Sequence, residues 1–377
     1  MLPRAIRVAP IVVLSRTMPL PTSAFTLLLT ALAWILAASP PPARASVSGV
    51  LAPYERGGWP PALAAVELPR ARSYVVVLQV PTVRAFDMRD VDRIRDTILA
   101  NMIDAPGWLD EKRLLGHAIV AWQCRTGRGV AAMTGESDGQ GMLMALGGGW
   151  GATPLVSTYL DGKVLREGAS FERYTEAMSR GEGAVVAFEV AERDCQAMRG
   201  FLARFLTHPD RPSQRYGLLL DPLAYEGGGC TSFAHALIAR SGIWNGGERK
   251  AVRRIRLHDG VLGRRGTTPP GVVPYHRAGT AGKEKTVPFA ALVLRSWKSG
   301  AFVETVRVVD PELIFAMLVE MRIAAGETDG WRAARRLSEA DPAVAAAVAE
   351  ARAVVARYPA RRFISPDGFS VLVLERR

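Results

Sequence analysis

Tyr216 to Trp244 reads YGLLLDPLAYEGGGCTSFAHALIARSGIW. An apolar run, Tyr216 to Leu220, leads into a loop of Pro and Gly. Three glycines, Gly227 to Gly229, then set Cys230 at the mouth of a helix predicted over about Thr231 to Arg240, ending near Gly242. Phe233, Ala236 and Leu237 recur at helical spacing, so one face is buried. A thiol at a helix start faces free backbone N–H groups and the positive end of the helix dipole. Both favour the thiolate. Glycine N–H groups beside it could hold an oxyanion. The same pattern also fits a buried structural Cys after a flexible loop.

Outward from this stretch, strands and helices alternate, which predicts an α+β fold. Ser73–Val80, SYVVVLQV, is a β-branched strand. Asp90 to Ile103 opens on Asp and is predicted as an amphipathic helix. Gly116 to Cys124, GHAIVAWQC, and Val130 to Thr134 form a predicted hairpin, and a second is expected around Asp161 and Gly162. Phe171 to Ser179 is predicted as a helix, Ala184 to Val190 as a strand and Glu192 to Leu206 as a helix.

The outer regions have other textures. Residues 1–45 carry Arg4, Arg7, Arg16 and Arg44, no acid, and the apolar run Ala24 to Ala38 before Ala43-Arg44-Ala45. This is the pattern of a secretory signal peptide with an A-x-A cleavage site. Val47 to Arg70 is expected as an extended arm. Residues 46–244 are then the main α+β domain and 245–286 a basic Gly/Pro-rich loop or linker. Residues 287–377 form a C-terminal α/β region that can pack on the first. There a strand is expected over Val303 to Val309 and a helix over Pro311 to Ile323. A further helix is expected over Trp331 to Tyr358 with a break at Pro342, then a last strand, Phe369 to Leu374.

The formal charge of +12 falls by the four leader arginines to +8. That balance favours an anionic partner such as a cell-envelope polymer. The arginines are scattered and no zinc-finger spacing occurs, so nucleic acid is not expected. No HExxH pattern or close Cys/His ligand set occurs, so neither metal nor cofactor is expected. After signal cleavage no stable membrane insertion is expected, and the oligomeric state is open. The chain holds three cysteines, Cys124, Cys195 and Cys230. In an exported chain the simplest arrangement pairs Cys124 with Cys195 and leaves Cys230 free. A bridge through Cys230 is the alternative.

A cysteine nucleophile needs a base, usually His. His117 heads the GHAIVAW strand and is the best candidate of five. His235 is turned away from the thiol on the same helix. His208 belongs to a helix stop, and His258 and His276 lie in the basic loop region.

The order GHAIVAW, two further strands, AVVAFEV with its helix, then YGLLLDPLAYEGGGCTSF resembles the permuted NlpC/P60 papain-like superfamily over about residues 116–243. The resemblance implies a papain-like antiparallel sheet with a nucleophile helix, here followed by a C-terminal α/β extension. It matches Cys230 to the nucleophile, His117 to its base and Tyr216 to the tyrosine that opens the nucleophile segment. Gly229 stands where the family usually has Asn. The family's third residue follows the His on a neighbouring strand, which points to Glu136, with Gln123 and Gln140 as rivals. The implied protein is an exported, periplasmic or secreted thiol hydrolase or acyltransferase. It would cleave an amide or ester of cell-envelope material through a Cys-His thioester. The competing expectation is a non-catalytic envelope binding or structural protein with a papain-like core.

Overall fold

Ser73–Val80 (β1) is buried along its whole length, because it lies near the middle of a sheet covered on both faces. Such a strand carries an unbroken apolar run rather than an alternation. The computed structural model describes residues 46–104, 116–135, 144, 148–264, 267–275, 285–327, 330, 331, 334 and 337–376. Ser46–Arg377 forms one compact unit.

In chain order, helices α1 (Val47–Arg56) and α2 (Pro61–Ala64) precede β1. After it come α3 (Val91–Asp104), β2 (His117–Cys124), β3 (Gly127–Gly135), α4 (Thr153–Val156), β4 (Thr158–Tyr159) and β5 (Gly162–Leu165). Next are α5 (Ala169–Ser179), β6 (Ala184–Val190), α6 (Glu192–Thr207) and α7 (Cys230–Ser241). The C-terminal half adds β7 (Val252–His258), β8 (Val272–Val273), α8 (Phe289–Leu294), β9 (Phe302–Val309), α9 (Pro311–Ala324), α10 (Pro342–Arg357), β10 (Ala360–Ile364) and β11 (Ser370–Leu374).

The fold is α+β. Its main sheet has seven strands in the order β10-β11-β6-β1-β2-β3-β5. All pairs are antiparallel except β11, which runs parallel to β6, so the sheet is mixed rather than wholly antiparallel. Strand side chains alternate between faces. Val75, Val77, Ala118, Val120 and Trp122 point to one face, where α1, α6, α7, α9 and α10 pack through Leu51, Phe201, Phe205, Phe233, Leu237, Leu313 and Ala347. Tyr74, Val76, Leu78, Ile119 and Ala121 point to the other, against Phe171, Tyr174 and Met178 of α5 and against Trp59 and Leu63. Burying one such large side chain stabilises the fold by roughly 1.5–3 kcal/mol. A separate apolar cluster joins α3, α8 and the two-stranded ribbon of β7 and β9.

Four local expectations change. Val47 to Arg70 is not an extended arm. Ser46 accepts the Gly49 N–H and caps α1, and Arg199 of α6 holds Glu55 at 2.8 Å. Asp161 and Gly162 do not join a hairpin, because β4 pairs with β8 and β5 with β3. Within 245–286, β7 is a regular strand whose arginines disguise its alternation: Ile255 and Leu257 point in while Arg254 and Arg256 point out. The last long helix starts only at Pro342, capped by Asp341, since Pro is favoured in a first turn and not inside a helix. The expected signal peptide, residues 1–45, lies outside the described residues. Among the described residues no helix is long and apolar enough to cross a membrane.

Candidate functional site

The Gly227–Gly229 loop is built as a close backbone crossing. Tyr216 bridges Gly228 on one side and Tyr159 on the other. Gly227 has φ +129°, and a Cβ there would strike the Arg215 carbonyl oxygen. Only glycine takes that conformation without strain. Gly229 caps α7, and its N–H donates to the Ser232 hydroxyl at 2.8 Å. Helix α7 therefore begins at Cys230, next to the sheet face that carries Ala118, Val120 and Trp122.

Cys230 is free and only 6% exposed. Its Sγ lies 3.6 Å from the Thr231 hydroxyl, the one polar contact it makes among the described residues. His117 follows Gly116, whose φ of +65° turns the chain into β2. His117 lies opposite Val80 in the β1–β2 register and shares its face with Ile119 and Ala121. Its ring stacks on Tyr174 of α5, centroids 4.0 Å apart and 5° from parallel. Its Nε2 is buried with no hydrogen-bond partner among the described residues. Burial pushes its pKa down to about 3, so the ring is neutral at physiological pH.

Cys230 and His117 are thus on opposite faces of the sheet, with the strand itself between them. Gln123 does not bridge the gap. It lies six residues along β2, roughly 20 Å from His117. Its amide nitrogen donates to the Pro69 and Arg72 carbonyls, and its oxygen accepts from Arg128. Glu136 and Gln140 lie outside the described residues, as does His276. His235 sits with Nε2 3.0 Å from the Glu248 carbonyl, and burial lowers its pKa. His208 stacks on Tyr225.

The expected Cys-His hydrolase or acyltransferase is overturned by this arrangement. Two of the three sulfurs, Cys124 and Cys195, are joined in a disulfide that ties the end of β2 to the first turn of α6. The third is buried with no base bonded to it among the described residues. A thioester route needs a base within hydrogen-bond reach of the thiol. The thiol-protease expectation falls with it, while the disulfide stands.

No family model, curated protein or solved structure matches the chain. Among the described residues no three His, Cys, Asp or Glu side chains come together to hold a metal ion.

Two charged features escaped the sequence reading. Arg253 is 7% exposed and points inward from β7. Its Nε donates to Asp310 at 2.5 Å and its Nη2 to Asp341 at 2.7 Å. Asp310 caps α9 and Asp341 caps α10, so one guanidinium pins two helix starts. On the outer side of the same ribbon Arg254, Arg256 and Arg307 are exposed. Both features lie in a stretch whose basic composition masks a two-residue period.

Proposed function

We propose that the chain is a non-catalytic exported protein that binds or braces cell-envelope material. In this reading it keeps the papain-like order of strands and nucleophile-type helix without a working dyad. The observation that carries the reading is the separation of Cys230 and His117 by the sheet. The resemblance itself is that of the sequence, and the structure adds to it only a helix that begins at Cys230 and packs on the sheet that holds β2. The Tyr174 stack explains His117 as a packed ring instead of a base. Export is supported by the leader pattern of residues 1–45 and by a disulfide, a bond that persists in oxidising compartments. The basic mature chain fits an anionic polymer better than a neutral peptide substrate.

The test is iodoacetamide labelling of Cys230 across a pH series, in wild type and in His117→Phe. The folded protein is expected to label far more slowly than the urea-unfolded chain. The pH dependence of labelling is expected to be the same in both proteins. A profile that moves when His117 is replaced in folded protein would restore a reactive pair and end this reading.

A further inference from the structure

The β7–β9 ribbon packs one face on the apolar cluster of α3 and α8 and leaves the other to solvent. On the outer face Arg254 stands directly opposite Arg307, and Arg256 opposite Thr305. All three arginines are exposed. None of them is in an ion pair among the described residues. The single acid on the two strands, Glu304, is opposite the buried Leu257 and so alternates away from the arginines; it is exposed and accepts a hydrogen bond from the Tyr275 hydroxyl. Among the described residues of β7 and β9, the charged side chains of the outer face are therefore all positive.

This arrangement costs stability in the free protein, since like charges directly opposite on neighbouring strands repel. It also has a fixed geometry. Opposed residues on an antiparallel pair are about 5 Å apart. Arg254 and Arg256, two residues apart, are roughly 7 Å apart along the strand. The Arg256 guanidinium lies over the exposed Phe302 ring at 4.8 Å, which holds it as a plane. An oriented guanidinium presents paired N–H donors suited to phosphate or carboxylate oxygens.

We propose that the outer face of the β7–β9 ribbon binds a linear phosphate-bearing polymer of the cell envelope, lying along the strands over Arg254, Arg256 and Arg307. The inference rests on the envelope-binding reading above and names its partner. A polymer is favoured over a bilayer because Phe302 is the one exposed large apolar side chain among the described residues of the two strands, and the Arg256 guanidinium lies over its ring.

The probe is long linear inorganic polyphosphate, titrated into the chain from Ser46 onward at several salt concentrations. Phosphatidylglycerol vesicles are titrated in parallel. The variants are Arg254→Gln/Arg256→Gln/Arg307→Gln and a control that removes equal charge elsewhere, Arg70→Gln/Arg193→Gln/Arg361→Gln. Each contact to a single-stranded polyanion contributes about 0.7 to the slope of log affinity against log salt, so the ribbon variant is expected to lose about 2 from that slope. Between about 50 and 200 mM salt, wild type then weakens roughly sixteen-fold more than the ribbon variant. The control is expected to keep the wild-type slope. Equal losses in both variants would overturn the proposal in favour of diffuse charge. Binding to vesicles without binding to polyphosphate would overturn it in favour of a membrane surface. No binding to either would also overturn it, while leaving the non-catalytic reading to the labelling experiment, which does not depend on the ribbon. Circular dichroism melts check folding, and the single variant Arg254→Gln, expected to lose about 0.7 from the slope, serves if the triple does not fold.

Discussion

His117 and Tyr174 stack ring on ring, 4.0 Å apart, on the side of the sheet away from Cys230. The pair has a measurable pH signature. His117 titrates near 3 in the folded chain, below its ordinary value of about 6.5. The unfolded state therefore binds the extra proton between those values and stability falls as pH drops. Wild type is expected to lose about 1.4 kcal/mol per pH unit from this ring between pH 6.5 and 3. His117→Phe keeps the stack and removes the titration. Urea melts at pH 7, 5 and 4 should show wild type losing stability relative to His117→Phe as the pH falls. A difference independent of pH would mean that the ring is not held neutral.

Arg253 and Asp310 form the second buried pair worth breaking. Burial pushes the Asp310 carboxyl above its ordinary range, even beside the guanidinium, while the Arg253 hydrogen bond and a cap contact hold Asp341 below it. Arg253→Met leaves a carboxylate inside with no counter-charge and is expected to cost about 3–5 kcal/mol. Arg253→Met/Asp310→Asn/Asp341→Asn keeps the caps without the charges and is expected to recover most of that loss. Chemical denaturation of both variants checks it, and equal destabilisation would show that the charges are not what matters.

The Cys124–Cys195 bridge closes a loop across 71 residues. Cys124→Ser/Cys195→Ser is expected to cost about 2–4 kcal/mol, mainly by freeing the unfolded chain. Reducing agent should lower the midpoint of wild type and leave the variant unchanged. A reductant effect that persists in the variant would point to another bridge.

Gly227→Ala tests the crossing before α7. Its φ of +129° and the Arg215 carbonyl leave no room for a Cβ. A loss of more than about 1 kcal/mol is expected. Gly242→Ala is the comparison, since its φ of +65° is strained for alanine but nothing lies within 4 Å of the added carbon. The first variant should be the less stable in thermal melts.

Local periodicity revealed β1, β2, β6, α6, α7 and α9, because each buries residues at its own period over a long run. Pairing partners were not local: the turn at Asp161 and Gly162 signals a bend but not that β4 goes to β8. The disulfide followed from counting cysteines. The side of the sheet taken by His117 was hidden because β2 is apolar on both faces, so its parity does not say which face α7 covers. Strand β7 was hidden because its outward positions are arginine, a composition shared with loops. The α1 helix was masked by Pro53 and the glycines around it.

Strand β11 sits against β6 and joins the sheet only when Leu374 is in place. During synthesis β6 is made long before its neighbour, and its outer edge stays unpaired until Ser370–Leu374 is available. An open edge of this kind is a site for wrong pairing. It also delays closure of the native state, since such long-range pairing is slow to form. Strand β11 is thus the cover of the β6 edge, and a chain without Ser370–Leu374 would bare a strand ready for wrong pairing.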